Sequence, residues 1–385
     1  MPHIKVAPFE ISKLEELEFI KAIAKSSQNK KIALVSKEKE EFILLIKEDL
    51  KSFIIKPDKV SRPVNIELIK KTLSEIITKL HLKTLNSNIS TSSKKPQADE
   101  KYKKSIKDFI NFNPKNFEGV ELEVGFGSGR HLLFQAKKRP KRLFIGVEIH
   151  TPSILQVLKQ IKLQNLENIW IINYDARLLL EILPSNILDQ IYVHFPVPWD
   201  KKPHRRVINL EFLNQAIRTL KVDGKLELRT DSKNYYYYSL EIFSSPKKVD
   251  FRVQKNRDLE IISKYEARWR RQNKDIYTLT FLNHQKSSPK ELECTFEFDI
   301  KNLNLDSLKT KKEIFEDFFI NIKEIYYTKD KKGAIVEISF GNFEKPEHKY
   351  LILEANKARY LPSIPVPTKA SCKAHQKLKE ILCQM

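Results

Sequence analysis

The stretch Glu123-Val-Gly-Phe-Gly-Ser-Gly129 places three glycines within five residues, directly after the strand candidate Val120–Val124. The whole chain of 385 residues contains only eight glycines. Glycines that follow a strand let the chain turn sharply and let a ligand lie against the backbone. We therefore predict a strand, a ligand-binding loop and a following helix at this point.

Strands and helices alternate from this loop to about residue 283. This alternation is typical of parallel βαβ units, so we predict an α/β fold with a doubly wound, Rossmann-like sheet. In such sheets ligands bind beyond the carboxyl ends of the strands. The predicted strands are Val120–Val124, Leu143–Val147, Ile169–Asn173, Gln190–Phe195 and Lys225–Thr230.

Composition divides the rest of the chain around this domain. Apolar residues at helical spacing predict a helix that begins near Ser12 and another over Ile314–Tyr326. No internal repeat is evident in the sequence. The predicted segments are an N-terminal accessory α+β module (1–83), a polar linker (84–104), the α/β domain (105–283) and a C-terminal accessory α+β module (290–385).

The net charge of +21 favours a polyanionic partner, and nucleic acid is the first candidate. Cys294, Cys372 and Cys383 show no metal-ligand spacing, so we expect neither a disulfide framework nor a metal site. No stretch approaches the ~20 apolar residues of a membrane span, and the N-terminus lacks the apolar core of a signal peptide. We expect a cytoplasmic protein without membrane association, with a monomer favoured.

Acidic residues stand at three successive strand ends behind the glycine loop. A carboxylate at Glu148 is placed to accept hydrogen bonds from both ribose hydroxyls of a cofactor, each worth ~1.5–3 kcal/mol. Asp175 alone would more often be a helix cap, but three acids in this order predict an S-adenosylmethionine site. The GxGxG spacing differs from GxGxxG and argues against a nicotinamide-dependent oxidoreductase. The predicted cofactor residues are Glu123, Gly125, Gly127, Gly129, Glu148 and Asp175.

A stiff, basic and aromatic loop follows the fourth strand, in His194-Phe-Pro-Val-Pro-Trp-Asp-Lys-Lys-Pro-His-Arg-Arg206. Two prolines, the face of Trp199 and several cations suit a base drawn out of a nucleic acid. A solvated basic loop with a core tryptophan is the alternative interpretation. Asp231, after the fifth strand, adds a carboxylate, and Ser263-Lys-Tyr-Glu-Ala-Arg-Trp-Arg-Arg271 adds a second basic and aromatic cluster.

Together these segments resemble bacterial tRNA (guanine-N7)-methyltransferases, the TrmB family, over about Lys107–Asn283. The resemblance implies a class I methyltransferase domain that binds S-adenosylmethionine and methylates guanine 46 in the variable loop of tRNA. The matching stretches are Leu122-Glu-Val-Gly-Phe-Gly-Ser-Gly129, Gly146-Val-Glu-Ile-His150, Asp175-Ala176, Phe195-Pro-Val-Pro-Trp-Asp-Lys201, Thr230-Asp231 and Ser263-Lys-Tyr-Glu266. The predicted substrate-binding residues are Trp199, Lys201, Arg205, Arg206, Asp231, Ser263, Lys264, Tyr265 and Glu266.

One position departs from the family, whose loop usually reads Pro-Asp-Pro-Trp where this chain has Val197. The N7 atom of guanine carries a free lone pair, so no general base is obligatory for its methylation. A carboxylate near the guanine still helps, because methylation makes the base cationic. We predict that Asp200 or Asp231 supplies this charge and that Val197 leaves the enzyme active.

Two other functions are compatible with these residues. One is a methyltransferase that acts on another atom or another RNA, although the split prolines around Val197 differ from the adjacent pair of amino-methylating enzymes. The other is a tRNA-binding relative without catalysis, which the loss of the family aspartate would favour. The intact set of cofactor residues argues against this second function.

Overall fold

The computed structural model describes residues 2–61, 65–89, 100–110, 112–289, 294–300, 303, 305–343, 346–355 and 357–383. The chain divides into two compact units. Lys95–Leu292 forms the central unit, whereas Met1–Lys94 and Glu293–Met385 together form the flanking unit. In the described part of the chain, no helix is long and apolar enough to cross a lipid bilayer.

The N-terminal segment is a run of antiparallel strands followed by a helix. Asn65 caps this helix, because its side chain accepts hydrogen bonds from the Glu67 and Leu68 amides. The helix expected near Ser12 is wrong: a short 3₁₀ turn over Ile11–Glu16 leads into a strand instead. The elements are β1 (Ile4–Val6), β2 (Ile20–Ser26), β3 (Lys31–Lys37), β4 (Glu40–Asp49), β5 (Ser52–Pro57), α1 (Ile66–Lys79) and β6 (Thr84–Ser87).

The central unit has the doubly wound α/β architecture expected from the sequence. The sheet order is β13-β14-β12-β11-β8-β9-β10-β7, and its strands are parallel except for β14, which runs antiparallel to both neighbours. The strands are β7 (Lys103–Lys104), β8 (Gly119–Val124), β9 (Arg142–Val147), β10 (Ile169–Ile172), β11 (Leu188–His194), β12 (Leu220–Thr230), β13 (Asp250–Lys255) and β14 (Tyr277–Leu282). The helices are α2 (Arg130–Lys138), α3 (Thr151–Leu163), α4 (Ala176–Ile182), α5 (Leu210–Thr219), α6 (Lys233–Phe243) and α7 (Lys264–Arg271).

The strand order reverses at β8, which lies between β9 and β11. Ligands of doubly wound sheets bind outside the carboxyl ends of the strands at such a reversal. The glycine loop follows β8 directly, so it lies at this point of the sheet.

The C-terminal segment repeats the plan of the N-terminal one. The helix expected over Ile314–Tyr326 is wrong, because this stretch lies mostly in a strand, β16 (Phe319–Thr328). A register shift between Ile322 and Glu324 breaks the two-residue alternation of buried side chains, which made the spacing resemble a helix. The elements are β15 (Lys311–Ile314), β16 (Phe319–Thr328), β17 (Gly333–Gly341), β18 (Pro346–Glu354), β19 (Lys357–Leu361) and α8 (Lys369–Cys383).

Each flanking segment therefore contains four antiparallel strands followed by a helix, β2 to β5 with α1 and β16 to β19 with α8. The first strand of each set pairs with the other, antiparallel, at Ser26–Tyr326, Lys25–Tyr327 and Ala24–Thr328. Equivalent strands meet as they would across a twofold axis. The structure thus reveals an internal structural repeat that the sequence analysis missed.

The two flanking segments are not the separate modules expected from the sequence. One sheet of 11 strands runs through both, and one hydrophobic core draws side chains from each. The polar linker also needs correction, because β6 pairs with β1 within the sheet, while residues 90–99 lie outside the described residues. The shared core consists of Ala24, Ile32, Leu34, Ile43, Tyr326, Ile335, Tyr350, Ile352 and Leu361.

Truncation of this shared core should destabilise the flanking unit from either segment. We expect Ile32→Ala and Ile335→Ala each to lower the free energy of unfolding by about 2–5 kcal/mol, because each leaves a cavity. Leu50→Ala is the control, because Leu50 is 98% exposed, and we expect a change within about 0.5 kcal/mol. Urea denaturation followed by circular dichroism measures the difference. Equal, small effects of all three substitutions would contradict a core shared by both segments.

Candidate functional site

The glycine loop between β8 and α2 has two open glycines and one packed glycine. All three have positive φ, at 69° for Gly125, 52° for Gly127 and 71° for Gly129. A Cβ atom on Gly125 would meet nothing within 4 Å, and one on Gly127 would meet only Tyr265 Cε2, at 3.9 Å. A Cβ on Gly129 would lie 2.5 Å from Val157 Cγ2, so this glycine lets α3 pack closely. The first two positions leave room for a ligand against the backbone.

Glu148, directly after β9, joins the glycine loop to the neighbouring strand ends. Its Oε2 accepts a hydrogen bond from the Gly127 amide at 3.0 Å. Its Oε1 accepts from the amides of Ile149 (2.8 Å) and His150 (3.0 Å). The side chain of Asn173, after β10, donates to the Glu148 carbonyl at 2.9 Å. A carboxylate is therefore held beside the loop at the second strand end.

Asp175 begins α4 after the third strand. Its carboxylate accepts a hydrogen bond from the Arg177 amide at 2.9 Å and thus caps the helix. Burial raises the pKa of Asp175, although Arg177 opposes this shift. The residue stands at the strand end predicted for the adenine end of the cofactor, and it also has the capping role that the sequence left open.

Glu123, at the end of β8, belongs to a buried polar network that the sequence analysis missed. His131 Nδ1 lies 2.8 Å from Glu123 Oε2, and the His131 ring contacts the ring of His194, with centroids 4.7 Å apart. His194 in turn binds Glu227 at 3.0 Å, and Glu227 binds Arg257 at 2.9 Å. Every member except Arg257 is at least nine-tenths buried as a side chain.

The pKa values in this network follow from burial and from the paired charges. Burial alone would lower the pKa of His131, but the Glu123 carboxylate outweighs burial and raises it. Burial lowers the pKa of His194. For Glu227, burial would raise the pKa, yet hydrogen bonds from His194 and Arg257 bring it to about 2. The pKa values of the two adjacent histidines are therefore shifted in opposite directions, that of His131 upward and that of His194 downward.

The loop after β11 carries two residues with left-handed backbone, Phe195 (φ 52°) and Trp199 (φ 46°). Val197 and Trp199 are exposed, as are Lys201 and Arg205. The Arg205 guanidinium lies 5.1 Å from the centre of the Trp199 ring. An aromatic face with an adjacent cation is therefore open to solvent at this rim.

Arg206 does not have the substrate-facing position expected from the sequence. The side chain is buried, its Nε donates to the Pro198 carbonyl at 2.7 Å, and its guanidinium lies 4.5 Å from the Tyr238 ring centre. One Nη lies 3.4 Å from Asp200, whose side chain is half exposed. Arg206 thus holds the loop in place, because its hydrogen bonds and its ring contact are made inside the protein.

Asp231, after β12, forms an ion pair with Lys274 at 2.9 Å and is mostly buried. The Lys274 ammonium lies 3.7 Å from the centre of the Trp269 ring on α7. The predicted carboxylate is therefore bordered by a cation and an aromatic ring.

Helix α7, which carries the second basic and aromatic cluster, is anchored to the sheet by its buried side chains. Ser263 caps the helix by accepting from the Glu266 amide at 3.0 Å. Glu266 is 1% exposed and binds Arg229 at 2.6 Å and Arg270 at 2.9 Å. The direct contact expected between Glu266 and the substrate is therefore wrong, because the Glu266 carboxylate is buried and bound to two arginines. On the outer side of the helix, Lys264 and Tyr265 are exposed.

Arg229 connects three of the site elements. Its backbone carbonyl accepts from the Phe195 amide at 2.8 Å, and its fully buried guanidinium binds Glu266 and, at 2.9 Å, Thr278. Because Tyr265 on the same helix lies beside Gly127, this contact joins α7 and the loop after β11 to the glycine loop. Among the described residues, no group of three or more His, Cys, Asp or Glu side chains is placed to hold a metal ion.

Comparisons with known proteins identify relatives over most of the chain. A family model described as "Putative methyltransferase" matches residues 118–279. A Wolinella succinogenes protein named tRNA (guanine-N(7)-)-methyltransferase is 44% identical over 362 residues, which cover 92% of this chain and 91% of that protein. Proteins of the same name from Campylobacter fetus and Helicobacter pylori are each 38% identical, over 89% and 86% of this chain and 89% and 84% of their own lengths.

Removal of the buried carboxylate on α7 should strongly destabilise the protein. We expect Glu266→Ala to lower the free energy of unfolding by about 3–5 kcal/mol, because it leaves the Arg229 charge buried without a partner. Asp258→Ala is the matched control. Asp258 binds Arg270 of α7, but its side chain is 91% exposed, so we expect a loss of at most about 1 kcal/mol. Urea denaturation followed by tryptophan fluorescence measures both. Similar losses for the two variants would contradict a structural role for the buried pair.

Proposed function

The chain belongs to the tRNA (guanine-N7)-methyltransferase family, and we propose that it transfers a methyl group from S-adenosylmethionine to N7 of guanine 46 in the tRNA variable loop. The family membership rests on relatives that match almost the whole chain. The observation that carries the proposal at the site is the glycine loop with Glu148 bound to Gly127 and Tyr265 beside it. This arrangement places the loop and carboxylate that would bind the cofactor beside α7, the helix that carries the second basic and aromatic cluster.

The residues around the loop fit S-adenosylmethionine. The open space beside Gly125 and Gly127 admits a ligand against the backbone. Glu148 would bind the ribose hydroxyls, and Asp175 would accept from the adenine amino group. Glu123 would lie near the cationic methionine end, with His131 fixing one of its oxygens. The cofactor, when bound, supplies an electrophilic methyl group on a sulfonium.

The guanine requires placement more than proton transfer. Its N7 lone pair is free at neutral pH, so no side chain has to remove a proton before the methyl group is transferred. The protein contributes by aligning N7 with the methyl group and by stabilising the positive charge that the base acquires. Trp199, Lys201, Arg205 and Tyr265 are exposed on the elements around the site, which supports contacts with the base and with tRNA phosphates.

Asp231 is better placed than Asp200 to stabilise the methylated guanine. Asp231 is mostly buried, and a carboxylate in a less solvated position interacts more strongly with a nearby charge. Asp200 is half exposed and lies 3.4 Å from Arg206. The side chain of Val197 is exposed, so it presents an apolar surface where the family usually has a carboxylate.

Nucleoside analysis of methylated tRNA tests the proposed function and the effect of Val197. We expect the purified protein, with S-adenosylmethionine, to form N7-methylguanine at position 46 of an unmodified tRNA transcript. A transcript with adenine at position 46 is the control and should gain no methyl group. A methyl group on another atom would indicate the alternative RNA methyltransferase. Intact cofactor binding without any methylated nucleoside would indicate the non-catalytic relative.

Substitution of the two candidate carboxylates should separate their roles. We expect Asp231→Asn to lower kcat by about 10- to 1000-fold, as loss of one electrostatic partner of a transition state does. Asp200→Asn should change kcat by less than about threefold, because the Asp200 side chain is 51% exposed and solvent screens its charge, whereas that of Asp231 is 19% exposed. Steady-state kinetics with tRNA, together with calorimetric measurement of cofactor affinity, reports both effects. A larger loss for Asp200→Asn would contradict this assignment.

A further inference from the structure

Four consecutive tyrosines on α6 divide between the interior and the surface. Tyr235 is fully buried, and its hydroxyl accepts from the Ile208 amide at 3.0 Å. Tyr238 lies against the Arg206 guanidinium, at 4.5 Å. Tyr236 is partly exposed, and Tyr237 is 55% exposed. Tyr235 therefore supports the fold and Tyr238 the loop after β11, whereas Tyr237 faces solvent and Tyr236 is half-buried.

Tyr236 and Tyr237 form an aromatic surface that extends from α6 to the sheet. The ring of Tyr236 stacks on that of Tyr277, with centroids 4.5 Å apart and planes inclined by 21°. Tyr237 lies beside them, 5.1 Å from Tyr236. We call Tyr236, Tyr237 and Tyr277 the tyrosine platform. The stack of Tyr236 on Tyr277 stabilises the packing of α6 on β14. The ring of Tyr237 is exposed and contributes little to the core.

The tyrosine platform lies at the end of β12 that Asp231 follows. Tyr277 begins β14 and is the register partner of Thr230, the residue that directly precedes Asp231. Directly opposed residues of antiparallel strands lie about 5 Å apart, so the backbone of Tyr277 lies beside the end of β12. It lies at the carboxyl end of β12, where a bound guanine would be presented.

Lysines accompany the aromatic rings along this edge. Lys233 Nζ lies 5.9 Å from the Tyr237 ring centre. Lys255, the register partner of Tyr277 on the other side, forms an ion pair with Asp275 at 2.7 Å. Lys274 lies between Asp231 and Trp269. Aromatic rings that alternate with cations are typical of surfaces that stack unpaired bases and bind their phosphates.

We propose that the tyrosine platform stacks unpaired tRNA bases that neighbour the methylated guanine. The inference rests on the proposed function, because it takes tRNA as the substrate presented at Asp231. A guanine drawn into the site leaves its neighbours without their stacking partner. Tyr236 and Tyr237 replace that partner and hold the displaced strand, and Lys233, beside Tyr237, binds its phosphate.

Alanine substitutions at the platform test this inference. We expect Tyr237→Ala and Tyr236→Ala to weaken tRNA binding and to lower kcat/KM for tRNA by about 5- to 150-fold, mainly through KM, as loss of one stacked base does. Tyr237→Phe and Tyr236→Phe should retain most of the activity, because stacking needs the ring and not the hydroxyl. Cofactor affinity, measured by calorimetry, should stay within about twofold of the unsubstituted protein in all four variants.

Phe343→Ala is the matched control. Phe343 is 49% exposed and stacks on Phe319 in the flanking unit, with centroids 5.7 Å apart, so its removal deletes a similar surface ring. We expect unchanged tRNA affinity for this variant. Unchanged tRNA affinity for Tyr237→Ala, or a parallel loss of cofactor affinity in both alanine variants, would overturn the inference.

The platform and the proposed function fail in different measurements. Filter binding of the tRNA transcript in the presence of S-adenosylhomocysteine requires no turnover and reports the platform alone. If the unsubstituted protein forms no N7-methylguanine, the proposed function fails whatever the platform does. If methylation proceeds while tyrosine and alanine variants bind tRNA equally, only the platform inference fails.

Discussion

The ion pair between Arg229 and Glu266 holds the site elements together. Both side chains are almost wholly buried, and their nearest atoms lie 2.6 Å apart. A buried charge without its partner costs several kcal/mol, so neither side chain can leave this position cheaply. The pair fixes α7 to β12, and the Arg229 carbonyl binds the Phe195 amide at the start of the next loop. The position of Tyr265 beside Gly127 therefore depends on an ion pair buried inside the protein.

This constraint explains why outward-facing residues and buried anchoring residues alternate along the same short segments. In Ser263–Glu266, the first and last residues cap and anchor the helix, whereas Lys264 and Tyr265 face outward. In the loop after β11, Arg206 holds the backbone and Trp199 is exposed. A helix or loop with exposed side chains on one side needs anchoring contacts on its buried side. Buried hydrogen bonds between charged groups are strong contacts of this kind.

The part of the site that could be predicted from sequence is local. The glycines after β8 have positive φ, as the turn requires, and Glu148 lies at the strand end beside Gly127. Contacts between distant segments could not be predicted, because no single-sequence signal reports partners such as Arg229 and Glu266 or His194 and Glu227. The predictions for the flanking segments were wrong for another reason. The bulge in β16 shifts its buried side chains to a spacing that also suits a helix, and the repeat is evident only from strand pairing.

We propose that Glu148, the open glycines and the anchored α7 form one cofactor site. A crystal structure of the full chain with S-adenosylhomocysteine tests this most directly. We expect both ribose hydroxyls within hydrogen-bonding distance of Glu148, the ligand against Gly125 and Gly127, and α7 held by an intact Arg229–Glu266 pair. A ligand bound away from Glu148, or a site that forms only after α7 has left Arg229, would contradict it.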